Sequence, residues 1–255
     1  MAGEPVQQPP VNQPAPPHAP LLDYYAASAQ RSDFVRNLFN RTAESYDGIN
    51  AAFALGSGPW YRRRALRQAG LAPGARMLDV AIGTGLVARE AAVILGGTRD
   101  LVGLDLSEGM LAVARRQLGL ALVQARAEAL PFADASFDFV SMGYALRHVG
   151  DLGALFGEFR RVLRPGGRVL VLEIARPEGR LAHALLRGYM GAVVPALSRL
   201  SGRSSATLMR YYWDTIEACV PPGEILARLG HAGLEQVGCA TELGMMRAYS
   251  ARGPA

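Results

Sequence analysis

An acid stands at the mouth of a glycine turn in Asp79-Val80-Ala81-Ile82-Gly83-Thr84-Gly85-Leu86-Val87-Ala88, and a second acid, Asp105, ends the next apolar run. Gly83-x-Gly85-x-x-Ala88 is a turn through which backbone can approach a nucleotide-like ligand at a helix N-terminus, with the second acid on the ribose hydroxyls. Two cofactors answer to that pattern. A nicotinamide dinucleotide brings a pyrophosphate, which wants bare backbone N–H groups. A carboxylate at Asp79 repels phosphate, by several kcal/mol where solvation is poor. S-adenosylmethionine carries no phosphate but has a sulfonium and an ammonium, which a carboxylate attracts. Asp79 therefore favours the sulfonium donor, and a nicotinamide oxidoreductase remains the rival.

The turn needs a strand before it and a helix after it, and the surrounding pattern supplies both repeatedly. Apolar runs at Met77–Ile82, Leu101–Leu104, Leu120–Val123, Phe137–Met142 and Val169–Ile174 read as buried strands. Helical patterns lie between them around Val87–Leu95, Met110–Leu118 and Leu152–Leu163, with Ser107 as the N-cap of the second and Pro165-Gly166-Gly167 ending the last. Upstream, Phe34, Leu38 and Phe39 fall at helical spacing, Gly56, Gly58 and Pro59 break the pattern, and Arg62, Arg63 and Arg64 read as a solvated helix face. Residues 181–200 are too interrupted by His183, Arg187 and Arg199 to span a bilayer. Within them Leu186, Met190, Val193 and Leu197 share one helical face, that of a core-facing or lid helix. A helix pair and two closing strands follow. The expectation is an α/β fold, a doubly wound, mostly parallel seven-stranded Rossmann-like sheet with a helical N-terminal cap and a helical lid.

Composition narrows the chemistry further. The chain has 255 residues and no Lys, so its 27 basic residues are all Arg against 22 acids, a net charge of +5. Without Lys there is no P-loop and no pyridoxal-phosphate Schiff base. The one basic run, Arg62-Arg63-Arg64, is a poor case for nucleic acid. Cys219 and Cys239 lack metal-ligand spacing, and a reduced, cytoplasmic setting is expected, with no metal. Residues 1–20 hold seven of the 16 prolines and almost no large apolar residues, so residues 1–30 read as a disordered tail. The rest, 31–255, reads as one domain: cap 31–70, cofactor-binding core 71–176, lid 177–222, and closing helix and strands 223–250.

The residues also resemble a known family. Leu78-Asp79-Val80-Ala81-Ile82-Gly83-Thr84-Gly85 resembles the first motif of class I S-adenosylmethionine-dependent methyltransferases. Gly103-Leu104-Asp105-Leu106-Ser107-Glu108-Gly109-Met110-Leu111 resembles the second, and Ala127-Glu128-Ala129-Leu130-Pro131-Phe132 with Phe137-Asp138 the third. Tyr144-Ala145-Leu146-Arg147-His148-Val149 is similar to the Phe-Gly-Leu-Arg-Asn-Val signature of the ubiquinone/menaquinone C-methyltransferase family. Tyr46-Asp47-x-x-Asn50 and Arg161-Val162-Leu163-Arg164-Pro165-Gly166-Gly167-Arg168 extend the similarity over about residues 34–250. His148 stands where that family has Asn, and Arg126 where it has a short polar residue.

This resemblance implies S-adenosylmethionine as cofactor. Its contacts would come from Asp79, Ala81, Gly83, Thr84 and Gly85, from Asp105, Leu106 and Met110, from Ala127 and Glu128, and from Met142. The implied reaction is methyl transfer to an apolar ring-hydroxylated small molecule, foremost C-methylation of a polyprenyl quinol precursor. An O- or N-methyltransferase of secondary metabolism is the alternative on the same fold, and a binding module without turnover is a third reading. For a ring carbon to attack, a neighbouring hydroxyl must lose its proton. Arg147 is the candidate to stabilise the resulting phenolate, His148 the candidate base, and Tyr46 the residue to position substrate oxygen or methyl donor. The plainer expectation for Arg147 is pairing with an acid near a strand end. Peripheral membrane contact and a homodimer stay open.

Overall fold

Apolar runs covered on both faces become strands of a parallel sheet, and β1 (Met77–Val80) is buried at every residue. A computed structural model describes residues 15–53, 57–177, 179–189 and 203–255. Strands β2 (Leu101–Asp105), β3 (Ala121–Gln124), β4 (Phe137–Gly143), β5 (Leu163–Ile174), β6 (Glu235–Glu242) and β7 (Met246–Arg252) complete a seven-stranded sheet of order β3-β2-β1-β4-β5-β7-β6. β1 to β5 run parallel, and β7 lies antiparallel between β5 and β6. After β3 the chain returns past β1 to build β4 on its other side. The order reverses there, and a crevice opens beyond the carboxyl ends of β1 and β4.

Eight helices are described: α1 (Arg31–Phe53), α2 (Gly58–Gln68), α3 (Leu86–Leu95), α4 (Glu108–Gln117), α5 (Leu152–Val162), α6 (Arg180–Gly188), α7 (Arg203–Ala218) and α8 (Pro222–His231). Successive strand side chains point to opposite faces, so the sheet feeds two cores. Leu78, Val140 and Val169 pack with Phe156 and Phe159 of α5 and Leu229 of α8. Met77, Phe139 and Leu170 pack with Leu66 of α2 and Ala88 and Ala91 of α3. A third cluster, Leu38 of α1 with Leu208, Tyr211 and Tyr212 of α7, joins cap to lid above the crevice. Among the described residues no helix is long and apolar enough to cross a membrane.

Ser107 caps α4 as expected, its Oγ accepting from Met110 N at 3.2 Å. Three readings change. Helix α5 stops at Val162, and Pro165-Gly166-Gly167 lies inside β5, where the pairing with β4 shifts register between Phe137 and Phe139. The disordered tail does not extend through residues 15–30. Leu152 N donates to Ala15 O at 2.9 Å, Val220 N to Pro17 O at 2.8 Å, and Arg31 to Val149 O and His18 O, both at 2.9 Å. Composition hid this strap because its hydrogen-bond partners lie on distant segments, and its Tyr24 and Tyr25 pack into the cluster that joins cap to lid. Residues 1–14 lie outside the described residues, as do Gly56 and the Met190, Val193 and Leu197 of the lid pattern. The arginine run also divides: Arg62 is 5% exposed, while Arg63 pairs with Glu90 and Arg64 with Glu242.

Candidate active site

The β1–α3 loop takes left-handed backbone at Ala81 (φ 54°), Gly83 (φ 59°) and Gly85 (φ 93°). At Gly83 nothing stands within 4 Å of where a side chain would begin, so the bare backbone faces open space. Gly85 differs. A Cβ there would meet Leu118 Cδ1 at 2.3 Å, and the residue borders none of the cavities described below. Gly85 is the left-handed N-cap of α3, packed close against Leu118. Asp105 steadies the loop from β2, accepting from Gly83 N at 2.9 Å and Ser107 N at 2.8 Å. Each of its oxygens keeps a further lone pair, and burial pushes its pKa up to about 6. From the cap, Thr84 Oγ1 donates to Asp47 Oδ1 at 2.5 Å.

Asp79 ends β1 fully buried. Ser141 Oγ donates to its Oδ1 at 2.5 Å, while Oδ2 is buried without a partner. Burial lifts its pKa to about 7, against smaller lowering contributions from Ser141 and Arg62. A buried acceptor left open is costly and calls for a cationic donor. The ammonium of S-adenosylmethionine is such a donor, and a pyrophosphate is the opposite. The residues present fit the sulfonium cofactor.

Three cavities meet at the crevice. One of about 100 Å³ is bordered by Ala81, Gly83, Asp105, Leu106, Met110, Ala127 and Glu128, together with Tyr46 and His148. A smaller one of about 30 Å³ lies against Asp79, Ala81, Gly83 and Thr84. The third, about 720 Å³, is walled by Trp60, Tyr61, Ile174, Leu186, Met209, Met245 and Met246. Tyr144 borders all three, and Tyr212 the first and third. Met142 borders none of them and is 1% exposed in the core beneath α5.

The catalytic candidates divide. Tyr46 reaches the cavity and shares a hydrogen bond of 2.6 Å with Tyr212 hydroxyl to hydroxyl. His148 stacks on Tyr211 at 5.3 Å between ring centroids and meets Phe39 edge-on at 5.4 Å, with neither ring nitrogen hydrogen-bonded. Burial first, then Arg147, His18 and Arg31, holds its pKa well below the usual value, and the ring is neutral. Arg147 borders no cavity. It is fully buried, its guanidinium pairing with Glu173, donating to Thr215 Oγ1 at 3.1 Å and lying 4.6 Å from the Tyr212 ring centre. Burial raises the pKa of Glu173, and Arg147 opposes that rise. Arg147 thus stands behind the Tyr212 wall, paired with an acid near the end of β5 as the plainer expectation had it.

Two residues at the cavities carried no sequence expectation of a role there. Tyr144 holds φ 61°, a conformation costly for a non-glycine residue that clusters at functional sites. The signal was its place at the end of an apolar strand. Arg62 lines both the small and the apolar cavities and lies 5.5 Å from the Tyr144 ring centre. Of the aromatic run in α7, Tyr212 is cavity wall, while Tyr211 and Trp213 are core.

Comparison with known proteins follows this geometry. Residues 26–248 match the model of the ubiE/COQ5 methyltransferase family. The ubiquinone/menaquinone biosynthesis C-methyltransferase UbiE of Hahella chejuensis is 32% identical over 212 residues, 80% of this chain and 85% of that protein. Its counterpart in Shewanella halifaxensis is 32% identical over 215 residues, 82% and 85% of the two chains. Among solved structures, phosphoethanolamine N-methyltransferase 2 of Haemonchus contortus, in complex with S-adenosylhomocysteine, is similar with a TM-score of 0.63 at 19% identity, over 86% of this chain and 60% of that one. A SAM-dependent methyltransferase from Aquifex aeolicus gives 0.55 at 18% identity, over 75% and 88%. At those identities the structures speak for the fold alone.

Proposed function

The chain belongs to the ubiE/COQ5 methyltransferase family and is an S-adenosylmethionine-dependent methyltransferase, and from that premise we propose that it methylates a ring carbon of a polyprenyl-type quinol precursor. The observation that carries the reading is the apolar cavity of about 720 Å³, which adjoins the cofactor crevice at Tyr144 and Tyr212. Trp60 and Leu243 line it and are 60% and 86% exposed, which suits a long apolar tail entering from a membrane surface on the cytoplasmic side.

When bound, the cofactor supplies an electrophilic methyl group on a sulfonium. The chain's own contribution is position, a dry wall and a proton acceptor. Holding donor and acceptor in line at near-attack distance is worth up to about 7–11 kcal/mol in well-oriented systems. Tyr46 and Tyr212, paired by their hydroxyls, offer hydrogen bonds to the ring oxygen of the acceptor. His148, neutral and with both nitrogens open, takes the hydroxyl proton, leaving an electron-rich ring whose carbon would accept the methyl group, the sulfonium leaving as a neutral thioether and the ring carbon's own proton passing to solvent. Arg147 acts through Tyr212, fixing the ring that separates the two cavities.

Incubation with a carbon-13 methyl donor and a demethyl quinol, followed by NMR of the product, tests the proposal. A methyl resonance on ring carbon is expected. Label on oxygen or nitrogen alone refutes C-methylation and selects the O- or N-methyltransferase reading instead.

A further inference from the structure

Arg63 and Arg64 each have a carboxylate partner, Glu90 at 2.8 Å and Glu242 at 3.2 Å. Arg62 has none among the described residues. It is 5% exposed, and its Nε is buried without an acceptor. A guanidinium stays charged at any ordinary pH, so burying it unpaired opposes folding. Such a charge persists where a ligand uses it.

Its surroundings say which ligand. Arg62 borders the small cavity against the glycine turn, where Asp79 also stands with Oδ2 unsatisfied. The two side chains carry opposite charge and make no ion pair with each other, yet Arg62 is near enough to favour the ionised form of Asp79. Between them lies about 30 Å³, room for roughly two or three waters or for a small polar group of like size. A buried anion and a buried cation held apart across a gap are the complement of a zwitterion. We propose that Arg62 binds the α-carboxylate at the amino-acid end of the cofactor, while Asp79 takes the α-ammonium. The two ligand charges share one carbon, so wherever Asp79 receives the ammonium the carboxylate lies in the same cavity. Among the described residues bordering it, Arg62 is the one cation. Its guanidinium lies 5.5 Å from the ring centre of Tyr144, which borders the same cavity. The inference rests on S-adenosylmethionine as the donor.

Calorimetric titration with S-adenosylhomocysteine and with its decarboxylated analogue tests it. The wild-type protein should bind the carboxylate-bearing ligand about tenfold or more tighter, the range of a charge-assisted hydrogen bond. In Arg62→Gln that preference should vanish, with affinity for the decarboxylated analogue changed by less than about threefold. Arg62→Lys, a point charge without the fork, should recover part of it. Equal affinity of the wild type for the two ligands overturns the proposal without recourse to any variant. So does a preference that survives in Arg62→Gln. Unchanged binding of both ligands with collapsed turnover overturns it too, and moves the guanidinium to an oxyanion of the acceptor. Failure of the wild type to bind either nucleoside is a separate result, which removes the donor assignment itself.

Discussion

Asp79→Asn separates two effects that a carboxylate at the end of β1 combines. Burial lifts Asp79 from 3.8 to about 7, so the folded protein keeps a proton that the unfolded chain releases above about pH 4. Stability of the ligand-free protein therefore falls as pH rises from about 4 to about 7, because the native state binds more protons throughout that window. Three units at about 1.4 kcal/mol each amount to a penalty on the order of 4 kcal/mol at pH 8. At pH 5 the folded wild type keeps its proton while the unfolded chain has already passed its own pKa by about one unit, so a neutral amide gains only about 1.4 kcal/mol there. At pH 8 the amide escapes the ionisation penalty, and the variant should melt roughly 8–16 °C higher than wild type. The same substitution should weaken S-adenosylhomocysteine binding at pH 8 about tenfold or more, since a charge-assisted contact to the ammonium is lost. Thermal unfolding of the ligand-free protein at pH 5 and pH 8, with calorimetry at pH 8, reads both. An equal shift in Tm at the two pH values, or unchanged ligand affinity, would refute the reasoning.

Two further residues of the site give measurable outcomes. Arg147→Met strands the Glu173 carboxylate in the core and should cost about 3–5 kcal/mol in denaturant unfolding, most of it recovered in the double variant with Glu173→Met; a silent single variant contradicts the ion-pair account. His148→Gln should lower kcat about 10²–10⁴-fold with cofactor affinity near wild type. Because burial and neighbouring cations depress the imidazole pKa, the acidic limb of wild-type kcat should fall below pH 6.5. The same depression makes stability drop as pH falls through and below 6.5, where the unfolded chain binds the proton and the native state resists it. An acidic limb above pH 6.5 would exclude His148 as the base.

Much of this protein is legible from local pattern alone. The period of the apolar runs, the glycine turn, the Ser107 cap and the two acids at strand ends depend on neighbours a few residues away, and they define the doubly wound sheet and its cofactor crevice. Arg147 and Arg62 show where that reading stops. Each is an arginine in a helical or turn segment; sequence left the first between the cavity and a paired acid and set the second in solvent. Glu173 and Thr215, which claim Arg147, stand 26 and 68 residues away. Arg62 lies against the ring of Tyr144 and shares the apolar cavity with Met246, more than 180 residues on. The strap at residues 15–30 is the same case, since its partners at Arg147, Leu152 and Val220 are more than a hundred residues on. Residue type and spacing determine which elements form and what chemistry is available among them. Which charge meets the ligand and which is buried against another charge is decided when distant segments close around them, because desolvation depends on that enclosure and not on the chain's own neighbours.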